Sequence, residues 1–395
     1  MTSIARSNRF HIAVFGRRNA GKSSLVNCIA GQSVSIVSDV AGTTTDTVWK
    51  NIELPGVGAA VIADTAGFDD EGVLGTLRVA ATRKVLERAD VAILLLGDGL
   101  CDCAVEKEWY DRMCRLQLPV VVVAGKCDTG NSAERMVALE KIFDTEILSF
   151  SAVTGEGSGE LLARLAQCCK QDSAVDDVTH SLVGASDMVV LVMPQDASAP
   201  KGRLIMPQVQ TLRNLLDKHC IPLCCAPEEL QQLLQSIVAP PKLIITDSQV
   251  FATVEKLVPA GTMLTSFSVL MARMKGDIAV FVDGAKRLLE LSPGSRVLIA
   301  EACSHIPQNE DIGRVKLPSM LRGRFGDDVC VDVVSGNDFP DNLDGYDLVI
   351  HCGACMFTRR HVMARVAQAV EQGVPITNYG IAIAALTGVL DRVVY

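Results

Sequence analysis

At 395 residues the chain is too long for one ordinary core and suits two or three α/β domains. Nearly half of it is apolar and 21% is charged, proportions that exclude a disordered or low-complexity chain. A net charge of -9 argues against a surface that neutralises nucleic-acid phosphates, and the longest apolar runs are strand-sized, so the expectation is a cytoplasmic protein without a membrane or nucleic-acid partner.

From His11 to Cys169, Val/Ile/Leu runs at 11–15, 59–63, 91–96, 120–124 and 147–150 alternate with amphipathic stretches. That pattern predicts a parallel sheet wrapped by helices, with a first domain over 1–172. Gly16-Arg17-Arg18-Asn19-Ala20-Gly21-Lys22-Ser23 follows the first strand and opens a helix expected over 24–30, the context of a phosphate-binding loop. Its glycines let backbone N–H groups turn inward around phosphates, with Ala20 and Ser24 completing the cradle. Lys22 would reach the β- and γ-phosphates, and Ser23 would give its hydroxyl to Mg²⁺.

Asp64-Thr65-Ala66-Gly67 ends the next strand, which sets a carboxylate beside the metal and the Gly67 N–H where a γ-phosphate would lie. Between them, Ala41-Gly42-Thr43-Thr44-Thr45-Asp46 offers a second metal-bound hydroxyl from Thr44, next to Thr43. Gly125-Lys126-Cys127-Asp128 and Ser151-Ala152 follow two further strands. A carboxylate accepts both N1–H and the exocyclic amine of guanine, a donor pair adenine lacks, so Asp128 selects GTP over ATP. These elements resemble the translation-factor-like GTPases, and the run 19–27 with Gly42-Thr43-Thr44 is especially similar to the TrmE and Era branch. Gly125 departs from that pattern, which has Asn there. Phe68 stands where Ras-like enzymes carry the glutamine that orients water. The resemblance implies instead that Asn19 and switch-loop carbonyls hold K⁺, so GTP hydrolysis is expected to be K⁺-stimulated.

A polar, acidic passage over 171–179 reads as a linker. Strands at 188–193, 222–225 and 243–246, with helices at 209–218 and 228–237, then make a small α/β domain over 173–260 that carries no catalytic motif. A third α/β domain is expected over 261–395, with strands at 296–300, 329–334 and 347–350 and a closing helix at 360–371. The fold class is thus a P-loop GTPase domain followed by two smaller α/β domains with mainly parallel sheets.

Fourteen cysteines without an export signal are not a disulfide framework. Cys28, Cys114, Cys168, Cys169, Cys220, Cys224, Cys225 and Cys330 read as small buried apolar residues. Cys303-Ser304-His305 and His351-Cys352-Gly353-Ala354-Cys355 differ, since each directly follows a strand. If both strands are parallel, both motifs emerge on one carboxyl rim, where open α/β sheets bind ligands. Structural zinc, a [4Fe-4S] cluster and accidental clustering of core residues are the three readings these residues allow. Three thiolates leave a fourth cluster position to His305, His351, Glu310 or water.

A GTPase domain of this type joined to Cys-x-His and then His-Cys-x-x-Cys closely resembles the HydF family of [FeFe]-hydrogenase maturation GTPases over the whole chain. The resemblance implies a middle domain that forms a homodimer and a third domain with a [4Fe-4S] cluster on Cys303, Cys352 and Cys355. It also implies a scaffold that delivers the diiron subcluster of the H-cluster to apo-hydrogenase, working with two radical-SAM maturases. The rival expectation is a TrmE/Era-like GTPase acting in tRNA modification or ribosome assembly, with a C-terminal zinc site.

Overall fold

The computed structural model describes residues 9–31, 48–65, 67, 82, 85–86, 88–97, 103–129, 133–172, 177–195, 204–302, 311–336, 338–354 and 357–395. The chain divides into two compact units, Met1–Ala174 and Val175–Tyr395.

The first unit is built on a six-stranded sheet of order β2-β3-β1-β4-β5-β6. Its strands are β1 (Phe10–Phe15), β2 (Val48–Leu54), β3 (Gly58–Asp64), β4 (Val91–Leu96), β5 (Val120–Ala124) and β6 (Ile147–Ser149). All neighbours are parallel except β2, which pairs antiparallel with β3 through the turn at Pro55–Val57. All six residues of β4 are buried, as are five of six in β1. Strands covered on both faces need apolar residues at every position, which is why these runs are continuous rather than alternating. Each fully buried aliphatic side chain contributes roughly 1.5–3 kcal/mol. Two cores result, one on each face of the sheet. Leu25, Val26 and Ile29 of the helix Lys22–Gly31 pack on one, and Trp109 and Met113 of the helix Ala104–Arg115 pack on the other.

The second unit holds two four-stranded parallel sheets, ordered β10-β9-β7-β8 and β12-β11-β13-β14. The first comprises β7 (Met188–Val192), β8 (Ile221–Cys225), β9 (Leu243–Thr246) and β10 (Met263–Ser266). The second comprises β11 (Arg296–Glu301), β12 (Cys330–Ser335), β13 (Leu348–His351) and β14 (Ile376–Asn378). One hydrophobic core runs through both, joining Ile244, Phe251 and Leu264 to Ile299, Val349 and Ile381. Leu264 also bridges in parallel to Val393, and Val394 N donates to Leu264 O at 2.8 Å, so residues near Tyr395 lie along β10.

The boundary expected at 260/261 does not fall between the two sheets. β10 lies beyond it and pairs with β9, and the following helix, Phe267–Lys275, turns Phe267, Leu270, Met271 and Met274 into the core under β7 and β9. The middle section therefore runs on to about this helix, which also sends Val269 and Ala272 into the core shared with the second sheet. The expected burial of eight cysteines is also corrected. Cys220 is buried, Cys28, Cys168, Cys169 and Cys225 are half-buried, and Cys114, Cys224 and Cys330 are exposed. Among the described residues no helix is long and apolar enough to cross a membrane.

Candidate functional site

The phosphate-binding loop leaves β1 at Phe15 and turns on residues that only glycine satisfies. Gly16 has φ +154°, and a Cβ there would lie 2.5 Å from Leu95 O, while Gly21 has φ +101°. Asn19, exposed at the loop's outer turn, is held at φ 62°, a left-handed conformation that costs a non-glycine residue about 1–2 kcal/mol. Lys22 is buried within the loop, where its Nζ donates to Gly16 O at 2.9 Å and Arg17 O at 2.7 Å. Arg17 is fixed by a two-pronged ion pair to Glu106, Nε to Oε1 at 2.7 Å and Nη2 to Oε2 at 2.9 Å. Glu106 is a partner 89 residues distant, for which the sequence carries no local signal.

Ser23 opens the helix Lys22–Gly31 and donates from Oγ to Asp64 Oδ2 at the end of β3, 2.5 Å away. Thr65 Oγ1 donates to Val14 O at 2.7 Å, tying that strand end back to β1, and Gly67 is buried. A hydroxyl and a carboxylate in contact beside a phosphate-binding loop are the oxygen donors Mg²⁺ uses. Ser24 is exposed and Ala20 buried in the same loop and helix start. Thr43, Thr44 and Phe68 lie outside the described residues.

On the base side, Ser151 is fully buried and acts as a hub. Its Oγ donates to Asp128 Oδ1 at 2.6 Å and accepts from Val153 N and Thr154 N at 3.2 Å each. The Asp128 carboxylate is thereby oriented, with Ala152 beside it in sequence. Lys126 takes φ 58°, and Cys127 N donates to Phe150 O, which ties the two base loops together. Gly125 is explained by space: a Cβ there would meet Leu95 Cδ1 at 3.1 Å and Leu96 O at 3.3 Å, so Leu95 fills the room a side chain would need. Arg135, buried in the helix Ala133–Phe143, donates to Gly97 O behind this loop, a brace that sequence reasoning missed.

In the second unit, β11 and β13 are parallel neighbours, with Ala300 opposite His351. The two motif loops therefore leave one carboxyl rim. Ala302 N donates to Cys352 Sγ at 3.0 Å, and Ala354 N donates to the same sulfur at 3.4 Å. Two backbone N–H groups thus converge on one sulfur. Ala302, the residue before Cys303 in sequence, is thereby bonded to Cys352. Cys303, His305, Glu310 and Cys355 lie outside the described residues, among which no group of three metal-ligating side chains occurs.

His351 is placed differently from a ligand. It is buried, with Nδ1 donating to Cys352 O at 2.8 Å and Nε2 accepting from Arg365 Nη1 at 3.1 Å. Burial first, and then the Arg365 charge, push its pKa down to about 3, which keeps this neutral tautomer. Both ring nitrogens are thus engaged, and the candidacy of His351 as fourth ligand is corrected to a brace for the loop. Arg365 lies between the rings of Phe339 and Phe357, 4.8 and 4.7 Å from their centroids. Asn378 Nδ2 adds a bond to Cys352 O at 3.1 Å.

Comparison with known proteins places these two sites in context. The Hydrogen maturase F tetramerization domain model matches residues 279–395, and the Hydrogen maturase F dimerization domain model matches 178–276. Together the two span more than half of the chain. The chain belongs to the hydrogen maturase F family.

Residues 11–126 of this family member match the 50S ribosome-binding GTPase model, which makes its first unit a GTPase domain. The tRNA modification GTPase MnmE of Pectobacterium carotovorum is 36% identical over 162 residues, covering 40% of this chain and 34% of that protein. The chain thus spans about a third of the length of this curated relative. Among solved structures, Aquifex aeolicus Era Y63A bound to GDP.AlF4- is 20% identical with a TM-score of 0.34, covering 57% of this chain and 97% of its own. A probable GTP-binding protein engB is 22% identical with a TM-score of 0.33, covering 41% and 99%. The hydrogen maturase F dimerization and tetramerization domains make the second unit an oligomerising one.

Proposed function

We propose that this chain is a GTP-hydrolysing iron-sulfur scaffold that assembles and delivers the diiron subcluster of the [FeFe]-hydrogenase H-cluster. The first unit would bind Mg²⁺-GTP, with Lys22 on the phosphates, Ser23, Thr44 and Asp64 on the metal, the Gly67 N–H at the γ-phosphate and Asp128 with Lys126 on the base. Asn19 would hold K⁺ against the charge that develops on the transferred phosphoryl group. In the second unit, Cys303, Cys352 and Cys355 would ligate a [4Fe-4S] cluster, with His305 or Glu310 as the candidate fourth ligand. Such a cluster supplies an iron position held by a more exchangeable donor than thiolate, where a diiron cargo is able to dock.

The observation that supports this reading is the N–H bond to Cys352 Sγ from Ala302, the residue before Cys303, in a chain with hydrogen maturase F domains. A homodimer through the middle section, with apo-hydrogenase and two radical-SAM enzymes as partners, follows from the same reading, as does a cytoplasmic location. The test is anaerobic purification. Brown protein absorbing near 400 nm, with about four irons per protomer, is the expected result. A colourless protein with stoichiometric zinc would replace it with the zinc-bearing, TrmE/Era-like alternative.

A further inference from the structure

We propose that Lys275 and Arg359 form a reciprocal clamp that positions the backbone from Cys352 to Ala354, so that cluster retention depends on a helix of the dimerisation section. This rests on the cluster reading above. Lys275 ends the helix Phe267–Lys275 and is 5% exposed. Its Nζ donates to Ala354 O at 2.9 Å and to Phe357 O at 2.8 Å. These two carbonyls bracket Cys355 in sequence. In return Arg359, the first residue of the helix Arg359–Glu371, donates from Nη1 to Met274 O and Gly276 O at 3.1 Å each. Those are carbonyls at the helix end that carries Lys275, where a cation also suits the helix dipole.

The backbone at the clamp shows what it holds. Ala354 has φ 51°, a left-handed conformation that an alanine adopts only when its surroundings impose it. Its N–H points at Cys352 Sγ while its carbonyl takes the Lys275 ammonium. The lysine thus anchors the residue whose N–H donates to the sulfur. There is also no slack beneath the helix end, since a Cβ at Gly276 would fall 2.2 Å from Phe281 Cε2. Lys275 also brings a cation to this loop. A nearby positive charge favours the reduced, more negative state of an iron-sulfur centre, so it raises the reduction potential.

The experiment uses the full chain, reconstituted anaerobically with iron and sulfide, as wild type, Lys275→Met, Lys275→Arg and Arg359→Gln. Circular dichroism and oligomeric state control for folding. Iron loss to a chelator, the EPR spectrum after reduction and the midpoint potential are the readouts. Lys275→Met is expected to release iron roughly 10- to 100-fold faster, the usual cost of losing a partner behind a metal ligand. Its EPR spectrum should change and its potential should fall. Lys275→Arg keeps the charge and should return the potential toward wild type. If Lys275→Met does not fold, Arg359→Gln loosens the clamp from its other side and should still speed iron release. Wild-type release rate, spectrum and potential in Lys275→Met, or wild-type release in Arg359→Gln, would overturn the proposal. A wild-type chain that takes up no iron-sulfur cluster removes the cluster reading itself, and the proposal with it.

Discussion

Ser23 Oγ and Asp64 Oδ2 stand 2.5 Å apart, joining the start of the first helix to the end of β3. Both groups face the same metal if Mg²⁺ binds as proposed, and the hydrogen bond between them is then exchanged for two oxygen ligands. Ser23→Ala and Asp64→Asn should each weaken Mg²⁺-dependent GTP binding by about 10- to 100-fold, the worth of one contact to a charged group. Binding of a fluorescent GTP analogue across a Mg²⁺ titration checks this. Equal Mg²⁺ dependence in wild type and both variants would remove the pair from the metal site.

The Ser151–Asp128 bond predicts two separable effects. Asp128→Asn reverses the hydrogen-bonding pattern toward the base, so preference should move from GTP to xanthosine triphosphate. Ser151→Ala leaves the carboxylate in place but frees its orientation, and should cost about tenfold in GTP affinity without changing which base is preferred. Competition binding with both nucleotides separates the cases.

Asn19 sits exposed at φ 62° on the outer turn of the phosphate loop. A side chain presented there in a strained backbone conformation fits a cation ligand. GTP hydrolysis should be faster in K⁺ than in Na⁺ at equal ionic strength, and Asn19→Ala should abolish the difference. Identical rates in the two salts for wild type would leave Asn19 with a structural role only.

Replacing His351 by Leu would remove one of two donors to Cys352 O and the acceptor of the buried Arg365 Nη1. The expected cost is about 2–4 kcal/mol of local stability. Tryptophan fluorescence does not see it, because Trp49 and Trp109 both belong to the first unit. Faster hydrogen exchange of β13 and the helix Arg359–Glu371 is the appropriate measurement. His351→Asn, able to bond Cys352 O, should lose less than the leucine variant.

β8 is an outer strand of its sheet, and Ile221 and Cys224 on it are exposed. Exposed apolar side chains on an outer strand of a dimerisation domain are candidates for a pairing surface. Cys224→Arg should weaken self-association by about tenfold or more, read as a shift toward smaller species by light scattering. An unchanged mass distribution at all concentrations would place the contact elsewhere.

The parts of this fold that could be read in advance share one property. Runs such as Val91–Leu96 are apolar on both faces, so burial alone dictates a central strand. β2, β10 and β14 were not expected, because Lys50, Asn51, Thr265 and Asn378 interrupt their apolar patterns and each strand owes its place to pairing with a neighbour. The phosphate loop was legible because its chemistry is confined to eight adjacent residues. The supports of the phosphate and base loops were not, since Glu106 and Arg135 act from distant helices. The adjacency of His351 to Cys352 suggested a shared metal. Only the register of β13 against β11, together with Arg365 a further 14 residues along, shows the ring turned to hold the loop.

The contact between Leu264 and Val393 has a consequence for how the molecule is made. Residues flanking β10 arrive on the ribosome long before the partners that lie along it, and pairings so distant in sequence form slowly. Until then the strand offers bare N–H and C=O groups while the sheet that dimerises is already present. Nascent or stalled chains are therefore the species most prone to mispair with one another. Slower elongation between β10 and Val393 lengthens that interval and should lower the yield of correctly assembled protein.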